Sequence, residues 1–175
     1  LPVRRTTASR LVRTLAWEKA LRGLPSTHVQ ALVPNAGTDA DLSYFAPQLR
    51  TLHQEFVSAG IEFEAVLEPG VLNSDSDREG QRWEALVHAQ GLYRAALSEA
   101  GIDDPHDARR AALNAGEVAQ GVRLILVGIV DPTTLLRETL EVLDGEVLAL
   151  VPADASWSDA FDPIGALIPD QVLQR

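Results

Sequence analysis

Two short apolar runs near the end of the chain constrain its fold more than any other feature. Residues 124–130 (LILVGIV) and 147–151 (VLALV) are uncharged and rich in aliphatic side chains, the pattern of strands that are buried on both faces. Between them, residues 131–133 (DPT) predict the start of a helix that continues to Leu143, and Gly145 is expected to end it. This order predicts two parallel strands with a right-handed crossover.

Residues 1–122 contain several stretches in which apolar side chains recur at steps of three and four, the spacing of core-facing helices. The predicted helices cover residues 10–21, 41–59, 79–100 and 104–115. Ser9 is expected to cap the first of them, and Asp104 to begin the last. Residues 28–33 and 61–67 are short and β-leaning, and we interpret both as extended segments.

The fold class predicted from this order of elements is α/β: a helix-rich chain with a small parallel sheet and a C-terminal β-α-β unit. We expect residues 1–122 to form a mostly helical segment that begins with a basic helix, and residues 123–175 to form the β-α-β unit with a packed tail. Together they are expected to form one compact unit. Because the chain starts with Leu1 and contains no Met, we interpret it as a fragment of a larger protein.

The tail after the second strand contains one distinctive segment, residues 161–165 (FDPIG). Phe161 and Ile164 are expected to be buried in it. Asp162 is expected to cap a turn, and Gly165 to adopt a positive φ. We therefore predict that this segment locks the tail against the sheet.

The absence of cysteine excludes a disulfide framework and a thiolate metal site. It fits a reducing compartment, so we predict a cytoplasmic location. No apolar run approaches the roughly 20 residues that span a bilayer, so no membrane partner is expected.

Charge is distributed unevenly along the chain. The formal net charge is −10, which disfavours a nucleic-acid-coating surface over the whole molecule. The first 25 residues, however, carry six basic side chains against Glu18 alone. Four of these are candidate contacts to nucleic-acid phosphate: Arg4, Arg5, Arg10 and Arg13. The alternative, which we favour, is that they face solvent or pair with acidic neighbours.

Asp131 is the one candidate cofactor-binding residue, because ligands of parallel α/β sheets bind beyond the carboxyl ends of the strands. An acid at the end of a strand can hold Mg²⁺ against nucleotide phosphates, as in a Walker B motif. The chain has no G-x-x-x-x-G-K-[ST] loop and no G-x-G-x-x-G loop to cradle the phosphates. We therefore favour the interpretation of Asp131 as a helix N-cap, and we expect no bound cofactor.

No other pattern in the sequence predicts chemistry. The four histidines lack metal-ligand spacing, and no G-x-S-x-G elbow is present for a serine hydrolase. Asp75 and Asp77 lack the glycine and acidic pattern of an EF-hand. The sequence therefore predicts no catalytic residue and no metal ligand.

The order of several motifs resembles a known family. Residues 10–21 (RLVRTLAWEKAL) are followed by residues 82–113 (RWEALVHAQGLYRAALSEAGIDDPHDARRAAL), and then by residues 124–140 (LILVGIVDPTTLLRETL) and the strand before Pro152. This order resembles the helicase-like part of AddB-type subunits of bacterial helicase–nucleases, in the PD-(D/E)XK nuclease family of double-strand-break repair. The residues that match the pattern of the family are Tyr93, Ala100, Gly101, Asp107, Gly128 and Asp131.

This resemblance implies a partial P-loop-NTPase-like, helicase-like α/β fold with a helical 1B-like insertion. It places the strand before Asp131 at the position of a helicase Walker B strand. Because Pro132 follows Asp131, the acidic pair of an active site is missing, and the resemblance implies a non-hydrolysing scaffold. The implied partners are the rest of the parent protein, DNA and a helicase partner subunit.

Two other classes of function stay open. One is a stand-alone α/β domain that binds a small molecule or a nucleotide beside Asp131, for which a deep pocket at the strand ends would be the sign. The other is a protein-interaction module whose exposed apolar faces meet the rest of its parent, for which self-association of the chain would be the sign.

Overall fold

The computed structural model of the chain describes residues 6–34, 39–72, 77–117 and 120–173. The chain forms two compact units, Leu1–Arg109 and Arg110–Arg175. The predicted coarse fold class, a helix-rich α/β protein with small parallel sheets, is confirmed. Within the described ranges, no helix is both long enough and apolar enough to cross a bilayer.

The first unit consists of helices and one very short sheet. Its helices are α1 (Arg10–Gly23), α2 (Ser26–Leu32), α3 (Asp39–Ser58), α4 (Asp77–Glu99) and a 3-10 helix (Phe63–Leu67). A further helix, α5 (Pro105–Asn114), begins in this unit. Strands β1 (Thr6–Thr7) and β2 (Ile102–Asp103) pair in parallel. The four helices predicted for this part of the chain are confirmed, with ends that differ by one or two residues.

Residues 28–33 and 61–67 are not extended, which corrects the interpretation from the sequence. The first segment lies in α2, and two backbone N–H groups of its first turn donate to the Pro25 carbonyl oxygen at 3.0 Å. Most of the second segment forms the 3-10 helix Phe63–Leu67, which places Phe63 in the core with 0% of its surface exposed. Both segments pack against α4, and this packing outweighs the β propensity of their sequences.

Four aromatic rings fill the core between α1, α3, α4 and the 3-10 helix. Trp17 of α1 stacks on Tyr93 of α4, with ring centroids 4.5 Å apart and 10° between the ring planes. The His53 ring of α3 meets both of them edge-on, at centroid distances of 5.5 and 5.3 Å. Phe63 completes the group, and each aromatic pair contributes about 0.5–1.5 kcal/mol beyond the area that it buries. This cluster is the centre of the first unit.

The hydroxyl group of Tyr93 donates to Asp104 Oδ2 at 2.5 Å inside the same core. Asp104 Oδ1 accepts from the backbone N–H of His106 at 2.7 Å and so caps α5, as predicted. Burial alone would raise the pKa of Asp104, but these two hydrogen bonds outweigh it and hold the pKa below its usual value. Burial and the Asp104 carboxylate together raise the pKa of Tyr93. The pair is therefore an ionised carboxylate and a neutral hydroxyl group.

The second unit contains the predicted β-α-β arrangement. Its elements are β3 (Gln120–Val127), α6 (Thr134–Glu141), β4 (Asp144–Leu150), a second 3-10 helix (Ala155–Ala160) and α7 (Pro169–Leu173). The two strands pair in parallel, in a register that aligns Arg123 with Glu146 and Val127 with Leu150. The prediction of two parallel strands joined by a helix is confirmed.

Gly145 lies inside β4 and does not end the preceding helix, which corrects the interpretation from the sequence. Helix α6 stops at Glu141, with Val142 as its C-cap. The register of the two strands shifts between Gln120 and Val122, and a Cβ atom on Gly145 would lie 2.1 Å from the Val122 carbonyl oxygen. Glycine is therefore required by strand pairing at this irregularity.

One face of this two-stranded sheet is exposed, so the prediction that both strands are buried on both faces is wrong. Its large side chains are Ile125 (59% exposed), Val127 (67%), Leu148 (51%) and Leu150 (49%). Leu126 points the other way and is 6% exposed. Because successive side chains of a strand alternate between the faces, an apolar run supplies two apolar faces whether or not both are covered. We call the exposed side, formed by these four residues, the open face.

The division between the two units falls within α5, earlier than the boundary expected after residue 122. Arg110, on the second half of α5, forms an ion pair with Glu138 of α6. This pairing joins the end of α5 to the β-α-β unit, so the second unit begins before β3. The chain forms two compact units where one was expected.

Tyr93→Phe tests the hydrogen bond that joins α4 to the start of α5. The change leaves the buried Asp104 carboxylate without the hydroxyl donor, so we expect the free energy of unfolding to fall by about 1–3 kcal/mol in urea denaturation followed by circular dichroism. Tyr44→Phe is the matched control, because Tyr44 is 75% exposed. Equal stabilities of the two variants would contradict the structural role of the pair.

His53 makes the stability of the first unit depend on pH. Burial lowers the pKa of this imidazole, while the Asp104 carboxylate acts in the opposite direction more weakly. The folded chain therefore keeps a neutral ring at a pH where the unfolded chain, with a pKa near ~6.5, takes up a proton. Stability from this group is fully present above about pH 6.5 and is lost as the pH falls further. We expect the urea concentration at the midpoint of unfolding to fall as the pH is lowered from about 7.5 to about 5.

His53→Phe is the variant that isolates this effect, since phenylalanine keeps a ring in the core and does not titrate. Burial also lowers the pKa of His106, so the variant should keep part of the pH dependence. We expect its urea midpoint to fall less over the same pH range than that of the unchanged chain. An identical fall in both proteins would exclude His53 as a source of the acid sensitivity.

Candidate functional site

The carboxyl ends of β3 and β4 form the place where a parallel sheet offers a ligand site. A cavity of about 320 Å³ lies at the end of β4. Its polar lining comes from Asp154, Ser158 and Asp162, and its apolar lining includes Val151 and Phe161. The volume lies at the lower limit of small-molecule pockets. This cavity is the first candidate site.

Asp154 uses its side chain to start the second 3-10 helix. Its Oδ1 atom accepts from the backbone N–H of Ser156 at 2.9 Å, which is the geometry of an N-cap. This hydrogen bond holds the pKa of Asp154 below its usual value. The carboxylate is therefore an ionised backbone cap at the edge of the cavity.

Asp162 uses both of its side-chain oxygen atoms to hold the tail. Oδ1 accepts from the backbone N–H groups of Ile164 and Ala166, at 3.0 and 2.9 Å. Oδ2 accepts from Arg137 Nη1 of α6 at 3.0 Å. Three donors thus converge on one carboxylate, and the prediction that Asp162 caps a turn is confirmed.

Gly165 brings this turn into contact with β4. Its φ angle is +81°, and a Cβ atom there would lie 2.8 Å from Ala149 Cβ and 3.0 Å from Val151 Cγ2. The next residues continue along the sheet, because the Leu167 N–H donates to the Val130 carbonyl oxygen at 3.0 Å. The predicted lock of residues 161–165 against the sheet is confirmed, with Gly165 as its point of closest approach. Phe161 and Ile164, which were expected to be buried, are only half-buried.

Asp131 does not cap α6, so that interpretation is wrong. Thr133 is the N-cap, and its Oγ1 atom accepts from the Leu136 N–H at 3.4 Å. Pro132 separates Asp131 from this cap and is itself buried, which leaves Asp131 exposed on the surface after β3. The helix starts too late for Asp131 to reach its first free N–H groups.

The surroundings of Asp131 offer little for a nucleotide. Asp131 does not line the cavity described above, and Asp162, an acid that does, is bound to Arg137 and to the backbone. In the part of the chain that the structure describes, no three His, Asp or Glu side chains converge to hold a metal ion. A lone exposed carboxylate can attract a cation but cannot position a phosphate group for attack.

The basic residues predicted to contact nucleic acid lie in the first unit. Arg4 and Arg5 fall outside the described residues. Arg10 is the exposed first residue of α1, and Arg13 lies one turn later and is half-buried. The fold adds Arg50 of α3, which is only 8% exposed and which the sequence interpretation missed. Its position directly after Leu49, which belongs to the apolar stripe of α3, was the available signal.

Two histidines that are far apart in the sequence meet on the surface of the first unit. The Nδ1 atoms of His28 on α2 and His88 on α4 lie 3.1 Å apart, which fits a hydrogen bond between one protonated and one unprotonated nitrogen. Two imidazoles alone do not complete the coordination of a zinc ion, which needs three or four ligands. Spacing could not reveal this pair, because it arises from the packing of α2 on α4.

Gly165→Ala tests whether the contact of residues 161–165 with β4 stabilises the ends of the strands. Alanine at this position must adopt a left-handed backbone conformation, and its methyl group must displace Ala149 and Val151. We therefore expect the free energy of unfolding to fall by about 2–4 kcal/mol and hydrogen exchange in β4 to become faster. Gly91→Ala, at an open position of α4, is the control, and we expect it to be neutral or to stabilise by up to about 1 kcal/mol. Unchanged exchange in β4 would show that the tail does not depend on this contact.

Comparison of the chain with protein-family models, with curated proteins and with solved structures finds no match. The resemblance to AddB-type subunits therefore stays a prediction from the sequence motifs.

Proposed function

We propose that this chain is a non-catalytic, helicase-like scaffold of an AddB-type DNA-repair helicase–nuclease subunit. One observation carries the proposal: at the strand ends, the carboxylates of Asp154 and Asp162 are engaged in holding the backbone. Asp131 is exposed on the surface after β3. A working nucleotide site needs a phosphate cradle and a group that orients the attacking water, besides one metal-binding acid. In this proposal, the strand ends correspond to the nucleotide site of an active helicase and lack its phosphate cradle and its catalytic groups.

The open face supports the scaffold role. Parallel strands are ordinarily covered on both faces, whereas Val127 and Leu148 are 67% and 51% exposed here. A face of this kind suits contact with the rest of a parent protein. In the proposed assembly, the partners are that remainder, a helicase partner subunit and DNA. The basic residues Arg10 and Arg13 of α1 supply positive charge for the contact with DNA.

An ATPase assay combined with DNA binding tests this proposal on the whole chain. We expect no ATP turnover above that of Asp131→Asn, because a lone surface acid does not assemble a hydrolytic site. DNA binding, measured by fluorescence anisotropy, should weaken strongly between roughly 50 and 200 mM salt, as phosphate contacts do. ATP turnover that depends on Asp131 would overturn the scaffold proposal.

The cavity at the end of β4 favours a second candidate, a stand-alone domain that binds a small molecule. Its volume of about 320 Å³ and its mixed lining are compatible with a small polar ligand. A thermal-shift screen with nucleotides and sugar phosphates distinguishes the two functions. Stabilisation that disappears in Ser158→Phe, which would fill the cavity, would support a ligand domain and would argue against the inert scaffold.

The open face also predicts how the chain behaves in solution. Exposed apolar side chains on adjacent strands promote weak self-association, which an interaction module would show as well. We expect the double variant Ile125→Lys, Val127→Lys to remain monomeric at concentrations at which the unchanged chain associates, as measured by analytical ultracentrifugation. Leu173→Lys is the control, because Leu173 is 84% exposed and lies on α7. Equal association of both variants would exclude the open face as its cause.

A further inference from the structure

The short helix α2 depends on α4 for its stability. It has seven residues, its N-cap is Pro25, and no side chain accepts a hydrogen bond from its first turn. A helix of two turns is not stable by itself in water, so packing has to hold it in place. Leu32, at its end, is buried, and the helix lies against α4. Any further link between α2 and α4 therefore stabilises a weak part of the first unit.

The side chains of His28 on α2 and His88 on α4 provide such a link. Their Nδ1 atoms lie 3.1 Å apart, and their ring centroids lie 5.0 Å apart with 77° between the ring planes. His28 is half-buried and His88 is exposed, so water and dissolved ions reach the pair. A hydrogen bond between the two rings contributes little by itself there, because water competes for both nitrogen atoms.

The spacing of the two nitrogen atoms also fits a shared metal ion. A zinc ion lies about 2.0–2.1 Å from the imidazole nitrogen that binds it. With 3.1 Å between the Nδ1 atoms, two such bonds meet at the metal at an angle of about 95–102°. This angle lies between the octahedral value of about 90° and the tetrahedral value of about 109°. Because His88 is exposed, its ring can turn until both lone pairs point at the ion.

The type of ligand decides which ions suit the pair. Imidazole nitrogen binds Zn²⁺, Cu²⁺ and Ni²⁺, whereas Mg²⁺ and Ca²⁺ prefer oxygen ligands. In the ranges that the structure describes, no third His, Asp or Glu side chain joins the two histidines. We expect water to fill the remaining positions of the ion, as it does at open metal sites. Cu²⁺ should bind most tightly, because affinity rises from Ni²⁺ to Cu²⁺ and falls again at Zn²⁺.

We propose that His28 and His88 bind one divalent transition-metal ion through their Nδ1 atoms, and that the ion joins α2 to α4. The two ligands come from different helices, so both reach the ion when α2 is packed on α4. Binding of the ion and packing of α2 therefore stabilise each other. The site belongs to the first unit and does not depend on the scaffold role proposed above.

Titration calorimetry of the whole chain with Cu²⁺, Ni²⁺, Zn²⁺ and Mg²⁺ tests the site. The ligand is the neutral imidazole, so the titration is made at about pH 7.5. We expect one transition-metal ion per chain and no binding of Mg²⁺. Loss of a group that only supports a metal ligand costs about 10–100-fold in affinity, so His28→Gln and His88→Gln should each weaken binding by at least about tenfold.

Asp131→Asn is the matched control for general attraction of cations, because Asp131 is an exposed acid on the second unit. It should leave the affinity for the three transition-metal ions within about twofold. Circular dichroism without metal should show the same helix content in all three variants, since neither histidine belongs to the buried core.

Hydrogen exchange gives a second readout, which reports on the helix itself. Zn²⁺ should slow amide exchange in α2 of the unchanged chain, because the bound ion opposes its separation from α4. In His88→Gln, exchange in α2 should be the same with and without Zn²⁺.

Several outcomes would refute the site. Absence of binding for all three transition-metal ions, or an unchanged affinity in both histidine variants, would overturn it. A ratio of one ion to two chains would mean that a second copy supplies ligands, which would overturn a site within one chain. Zn²⁺ binding that leaves exchange in α2 unchanged would overturn the link between the helices. ATP turnover that depends on Asp131 would instead refute the scaffold and leave the metal site standing.

Discussion

The hydrogen bond between Tyr93 and Asp104 determines how the helices of the first unit pack together. The Tyr93 ring stacks on Trp17 at 4.5 Å, so α4 and α1 approach closely only if the phenol is fully buried. Burial of the hydroxyl group is tolerated because Asp104 accepts its hydrogen bond at 2.5 Å. The same carboxylate caps α5, which ties the packing of α1 and α4 to the point where α5 begins. The Asp104 carboxylate thus contributes both to the packing of the core and to the start of α5.

In the second unit, Asp162 likewise stabilises the fold through the hydrogen bonds of its carboxylate. This structural role limits what the carboxylate can bind. A carboxylate that accepts from Ile164, Ala166 and Arg137 stabilises a turn, but it has few lone pairs left for a substrate or a metal ion. An acid near the carboxyl ends of parallel strands is ordinarily a candidate for chemistry. Here the hydrogen-bond partners, and not the position, decide what the acid does. The proposed scaffold role follows from this distinction.

Patterns that depend on local chemistry predicted the main helices and two caps, although the cap at Asp131 and the helix end at Gly145 were wrong. Features that depend on distant packing were not predicted. Helical spacing predicted the long helices, and the cap at Asp104 and the turn at Asp162 were evident from residue type. The open face was not predictable, because an apolar strand has the same sequence whether one or both faces are covered. Arg50 was missed because an arginine is ordinarily exposed, whereas the packing of the first unit buries this one.

The charge of the whole chain and the charge of its parts lead to different expectations about anionic partners. A net charge of −10 argues against general affinity for phosphate. Screening limits exposed charges to about 8 Å at physiological ionic strength, so acids spread over the rest of the surface act weakly on Arg10 and Arg13 of α1. Arg10 and Arg13 lie one turn apart on α1, and the first turn of that helix contains no acidic residue. The charge at the start of α1 therefore counts for more than the net charge of the chain in the proposed contact with DNA.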